Sequence, residues 1–148
     1  MSQPPPFFSQ RFSAFLTQFS LDPPDPNRMM GSLRAAGVLD RDGNKKLALI
    51  GDSVLRTHIQ IKGYERGMTR GEIDGMVKHL ACNAHLAQRG FAARLERYIW
   101  NNPSQGTQIS EGLMATTVEA IIGAVYLDNG KDLAAIESII TAFGLNWP

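Results

Sequence analysis

NKKLALIGDSVLRTHIQIK, residues 44–62, is the stretch whose reading decides the fold. Leu47, Ile50, Val54 and Ile61 recur at helical spacing, so one face of a helix is expected to be buried through them. Gly51 falls inside that pattern, where glycine costs about 1 kcal/mol against alanine. A glycine accepted there marks the close approach of another backbone. Asp52 follows it, a carboxylate in an otherwise apolar turn. Two roles are open for it: an ion pair with Arg56 one turn later, or ligation of a metal.

A second stretch, Ile109 to Asp128, has the same plan: ISEGLMATTVEAIIGAVYLD is an apolar helix with one central acid, Glu119, and Gly123 four residues on. Two such helices packed closely would set Asp52 beside Glu119. Carboxylates that close repel, so a cation must lie between them or one must keep its proton. Carboxylate oxygens favour Mg²⁺ or Mn²⁺ over Zn²⁺.

The rest of the chain sets bounds. Its 148 residues suffice for one domain with a hydrophobic core, and 43% hydrophobic with 20% charged residues is ordinary for a soluble globular protein. The single cysteine, Cys82, excludes an internal disulfide and fits a reducing, intracellular compartment, with cytoplasm, nucleus and mitochondrion left open. Cys82 lies in an apolar helical run and is expected to be a buried structural thiol. No apolar run reaches transmembrane length, so no membrane partner is expected. A formal charge of +1 excludes a strongly basic nucleic-acid binder, but the distribution is uneven. Residues 41–70 carry seven Lys/Arg against three acids, and residues 101–148 carry one Lys against five. That polarity suits a basic groove along the middle of the chain; scattered solvated charge is the alternative.

Along the chain, residues 1–6 (MSQPPP) are expected to be disordered, with a single domain over 7–148. Phe8, Phe12, Phe15, Leu16 and Phe19 mark an amphipathic helix within Phe7–Leu21, read as a first core helix rather than a weak mitochondrial presequence. LDPPDPN, residues 21–27, is a loop, and Asn27 is placed as the cap of a short helix ending near Gly37. DRDGN, residues 40–44, imitates the start of a calcium loop. It fails because Lys45 stands where the turn glycine belongs and Gly51 where the bidentate Glu belongs. Residues 62–67 form a polar break. Thr69 with Glu72 forms a capping box for a helix running to about Gln88 and burying Ile73, Val77, Leu80 and Leu86. A shorter helix spans Phe91–Trp100, a polar loop Asn101–Gln108, a turn Asn129–Gly130, and a last helix Lys131–Phe143. Strand-like alternation is absent, so the fold is all-α.

The two key helices together resemble the catalytic domain of the ribonuclease III family. The resemblance rests on Leu47-Ala48-Leu49-Ile50-Gly51-Asp52-Ser53-Val54-Leu55, on the block from Met114 to Asp128 and on the connecting block Leu80 to Ala87, in the family's order. It implies a helical endonuclease domain of about seven helices that forms a homodimer and cuts double-stranded RNA with Mg²⁺ or Mn²⁺. Members typically carry four acids around the metal. Here Ala48 and Thr116 stand at two of those places, and Lys45 replaces a further acid, leaving Asp52 and Glu119 as the metal ligands to carry over. This reduced site is similar to that of the mini-ribonuclease III group, which also lacks a separate double-stranded-RNA-binding domain; this chain leaves no residues for one. The alternative is an inactive ribonuclease III-like binding or structural module, as in fungal mitochondrial ribosomes, with a larger ribonucleoprotein as partner.

Thr116 lies one turn before Glu119, where its hydroxyl can hold a water at the metal. Lys45 lies two turns before Asp52, where it either contacts a phosphate or neutralises Asp52. Arg56, Lys62, Arg66, Arg70 and Lys78 are the candidate RNA-phosphate contacts, with a solvated helix face as the alternative for each. His58, His79 and His85 show no zinc spacing. Leu49 is either a dimer contact or core.

Overall fold

The computed structural model describes residues 6–102, 104, 106 and 108–148, with side chains described from residue 9 onward. Seven α-helices carry the fold: α1 (Pro6–Gln18), α2 (Pro26–Ser32), α3 (Lys45–Glu65), α4 (Arg70–Ala81), α5 (Asn83–Ala92), α6 (Glu111–Asp128) and α7 (Glu137–Ala142). Short 3₁₀ turns at Leu95–Tyr98 and Leu133–Ile136 join them. There is no strand among the described residues; one isolated bridge between Arg34 and Trp100 ties the loop after α2 to the segment before α6.

The centre of the molecule is α6. From Met114 to Val125 almost every residue is buried, as expected of a helix that is apolar all round. It packs most extensively on α3 and next on α5. The contact with α3 is made backbone to backbone. A Cβ on Gly51 would overlap the carbonyl oxygen of Glu119 and stand 2.5 Å from its carbonyl carbon, while one on Gly123 would overlap the carbonyl oxygen of Leu47. Glycine at both positions is therefore what lets the helices meet.

The buried stripe of α3 runs through Ala48, Gly51, Leu55, His58 and Ile59, together with Val54. This differs from the apolar periodicity: Leu47 and Ile50 are half-buried and Ile61 is exposed. The closest approach goes to the smallest side chains, which carry little hydrophobic signal of their own.

Other differences have local causes. Asp25, not Asn27, caps α2: its Oδ1 accepts from the amides of Asn27 (3.1 Å) and Arg28 (3.3 Å), with Pro26 pre-set at the first helical position. The break expected at residues 62–67 comes later, since α3 continues to Glu65 and Gly63 packs against Ile73 and Trp147. The helix expected to reach Gln88 is interrupted at Cys82, whose extended backbone ends α4 and starts α5. Cys82 is exposed there, not buried. The apolar pattern hides this break because Leu80 and Leu86, on either side, enter the same core. The expected Phe91–Trp100 helix is the end of α5, a left-handed residue at Arg94 and the turn Leu95–Tyr98. The last helix begins only at Glu137, after the turn capped by Asp132.

The capping box is present: Thr69 Oγ1 accepts from the Glu72 amide and Glu72 accepts from the Thr69 amide. The core helix read near the N-terminus is α1, with Phe12 and Phe15 buried; Phe15 meets the Tyr98 ring at 5.6 Å and, just past α1, Phe19 meets Phe143 at 5.3 Å. Of the stretch expected to be disordered, residues 1–5 lie outside the described residues and Pro6 is the first residue of α1. Pro103, placed in the polar loop, also lies outside them.

Candidate active site

The glycine contact sets the register of α3 on α6, and the register brings the two central acids together. Asp52 follows Gly51 directly, and the overlap that Gly51 avoids is with the carbonyl of Glu119 itself. Burial, then the charge of Asp52 and its hydrogen-bonding interaction with Glu119, push the Glu119 carboxyl up from its ordinary 4.5 to about 8, against a smaller opposing pull from Arg56. The metal-free pair therefore holds one proton near neutral pH, as the repulsion of adjacent carboxylates requires. Of the two roles open for Asp52, the ion pair is present: its Oδ1 accepts a 2.8 Å hydrogen bond from Arg56 Nε.

The acids open into a cleft of about 290 Å³ lined by Lys45, Ala48, Leu49, Asp52, Thr116 and Glu119. Lys45 is exposed and, among the described residues, makes no ion pair, so its ammonium does not neutralise Asp52. Thr116 is half-buried one turn before Glu119. Leu49 is 72% exposed, which excludes the core role.

A second groove, about 430 Å³, adjoins this cleft and shares Lys45 and Thr116 with it. Neutral polar side chains dominate its lining: Asn44, Asn83, Asn101, Asn102, Gln108 and Ser110. Asn44 is buried and joins the start of α3 to its neighbours, donating to the Ser32 carbonyl (2.9 Å) and to Thr117 Oγ1 (3.0 Å). Sequence reasoning missed this groove. Amides scattered over three segments carry no periodicity; the only available signal was the polar run Asn101–Gln108.

The basic residues divide. Arg56 pairs with Asp52, which lines the cleft. Lys62 lies ten residues beyond Asp52, about 15 Å along the helix, and its Nζ pairs with Glu137 Oε1 at 2.8 Å, which holds its pKa up. Arg66 donates to the Pro148 carbonyl (3.3 Å) and stacks over Trp147. Arg70 and Lys78 are exposed on α4 without ion pairs among the described residues. The histidines stay outside the cleft lining. His58 is buried on α3, where desolvation lowers its pKa, while His79 and His85 stack on each other at 5.0 Å.

No group of three or more His, Cys, Asp or Glu side chains is placed to hold a metal among the described residues. The site offers two carboxylates and a nearby hydroxyl. This donor set fits a hard cation that keeps several of its own waters, as Mg²⁺ does.

The ribonuclease III domain model matches residues 45–130, which contain α3, α6 and both acids. The chain belongs to the ribonuclease III domain family. Ribonuclease 3 of Shewanella woodyi is 36% identical over 109 residues, 70% of this chain and 46% of that protein. Ribonuclease 3 of Leifsonia xyli is 34% identical over 97 residues, 62% of this chain and 40% of that protein. The chain thus spans about half the length of the curated relatives it matches. The nuclease domain of ribonuclease III from Campylobacter jejuni superimposes with a TM-score of 0.78, covering 94% of this chain and 98% of that one, at 18% identity. That likeness shows the ribonuclease III fold. The Campylobacter structure is described for flexibility in a region involved in dimer formation.

Proposed function

We propose that the chain is a divalent-metal-dependent endoribonuclease that hydrolyses double-stranded RNA as a homodimer. The observation that carries this reading is the Asp52–Glu119 pair at the mouth of the cleft, two carboxyl groups kept adjacent where their repulsion must be offset. Setting two acids side by side between α3 and α6 costs desolvation and repulsion that a bound cation would offset. Mg²⁺ or Mn²⁺, when bound, would lower the pKa of a bound water and offset the charge that builds on the phosphate oxygens.

The protein's own groups divide the remaining work. Asp52 and Glu119, on α3 and α6, would hold the cation. Thr116 holds a water beside them through its hydroxyl. Lys45, free and exposed, contacts a phosphate next to the scissile one. The neutral amide groove takes the sugar and base edges of the strand as it leaves the cleft. Duplex RNA is read mainly through backbone and 2′-hydroxyls, so a modest basic charge with many neutral donors suits it. Arg70 and Lys78 extend the phosphate contacts along α4, and binding should weaken with salt. Leu49, exposed beside the acids, faces the second subunit.

The test is incubation with long duplex RNA and Mg²⁺ or Mn²⁺, alongside Asp52→Asn and Glu119→Gln. Cleavage by the parent and by neither variant supports the enzyme. Duplex binding by all three without cleavage overturns it in favour of an inactive module.

A further inference from the structure

We propose that Arg56 is a latch on the acid pair: its guanidinium holds Asp52 in the metal-free protein and passes to an RNA phosphate when the duplex docks, so that RNA and cation load together. The proposal rests on the reading of Asp52 and Glu119 as the metal ligands, and it adds a residue and a coupling that this reading does not require.

The geometry supplies the argument. Arg56 lies one turn after Asp52 on α3, and its Nε donates to Asp52 Oδ1 at 2.8 Å. The same carboxylate shares its cleft with Glu119, whose titration it perturbs. A cation taking Asp52 as a ligand must therefore compete with a guanidinium already in place. Both partners remain partly open, with side-chain exposures of 47% for Arg56 and 36% for Asp52, so the guanidinium can leave without unpacking the core. An open pair at this spacing is weak. The planar fork of an arginine is better matched to a phosphate, which it can grip through two hydrogen bonds.

Position completes the case. Lys45 stands two turns before Asp52 and Arg56 one turn after it, on the same face of α3. The acids are thus bracketed by two cations in a row that a phosphate backbone can follow. Lys45 makes no ion pair among the described residues, whereas Arg56 is held by the acid. Only Arg56 therefore reports to the metal site whether a phosphate has arrived. Linkage is reciprocal: whatever factor RNA adds to cation affinity by removing Arg56, the cation adds to RNA affinity.

The test uses two separate binding measurements. Mn²⁺ is titrated into the free parent protein, Arg56→Ala and Arg56→Lys, with the bound ion followed by electron paramagnetic resonance. A labelled short duplex RNA is titrated into the same proteins in EDTA, followed by fluorescence anisotropy. Arg56→Ala should bind Mn²⁺ about two- to tenfold more tightly than the parent, the span between an exposed i,i+4 ion pair and a hydrogen bond to a charged group. The same variant should bind RNA more weakly. Arg56→Lys should fall between parent and alanine in both measurements. Opposite signs in the two titrations set a latch apart from simple damage, which would weaken both. Unchanged or weaker Mn²⁺ binding by Arg56→Ala overturns the latch. If Asp52→Asn still abolishes Mn²⁺ uptake in that case, the metal-site reading stands and the latch alone falls. If neither the parent nor Arg56→Ala takes up Mn²⁺, both fall.

Discussion

Replacing Gly51 by alanine puts one methyl group between α3 and α6. The added carbon would overlap the carbonyl oxygen of Glu119, stand 2.5 Å from its carbonyl carbon and 3.0 Å from the Gly123 amide nitrogen. Ordinary carbon contacts begin at about 3.5 Å, so the carbonyl carbon alone asks for roughly 1 Å of separation and the overlapped oxygen for more. Every obstructing atom is backbone, so no side chain can rotate away. Overpacking typically costs about 1–3 kcal/mol; here, where only backbone obstructs and nothing yields, it should reach about 3–5 kcal/mol, while alanine returns about 1 kcal/mol of helix propensity. A net loss of about 2–4 kcal/mol should lower the melting temperature by roughly 5–15 °C for a domain of this size. The same shift carries Asp52 away from Glu119, and a displacement near 1 Å can cost about 100-fold in rate. Gly75→Ala on α4 is the control, because its Cβ would meet nothing within 4 Å; it should stabilise by about 0.5–1 kcal/mol. Thermal melts by circular dichroism decide the matter. If Gly51→Ala melts within about 2 °C of the parent, a fraction of the expected shift, the backbone contact does not set the helix spacing and the reasoning fails.

Two further outcomes follow from the same geometry. In metal-free protein, Glu119 is neutral in both folded and unfolded states below its ordinary pKa of 4.5; above it the unfolded chain releases a proton that the folded site retains up to about pH 8. Stability should therefore fall as pH rises from about 5 to 8, by roughly 1–3 kcal/mol after discounting for the partial openness of the group. Glu119→Gln should flatten that slope in denaturant titrations, and an unchanged slope would place the titration elsewhere. Leu49→Asp should leave the fold intact, because Leu49 is 72% exposed, yet give a monomer by light scattering; a dimer of unchanged affinity would move the interface to another face.

The sequence carried the two helices that matter because their signals reinforce one another. A glycine inside an apolar repeat, an acid one or four residues away, and the same plan repeated in α6 led to the contact now seen between Gly51 and Glu119. The exact buried stripe of α3 was less legible, since Ala48 and Gly51 mark close packing by being small. Cys82 was misread because a helix can break while the apolar period continues across the break. The two neighbours of Asp52 were legible by separate signals, Arg56 from i,i+4 spacing and Glu119, 67 residues away in the chain, from the matched plan of α6. The amide groove was legible only as the polar run Asn101–Gln108, since Asn44, Asn83 and Asn102 are brought together only by tertiary packing.

The most direct measurement is a crystal of the protein soaked in Mn²⁺ and recorded at the manganese absorption edge. The account predicts one anomalous peak in the cleft, with carboxylate oxygens of both Asp52 and Glu119 at coordination distance, close to the roughly 2.0–2.1 Å typical of Mg²⁺. A cleft with no peak, or a peak ligated by only one of the two acids, would contradict it.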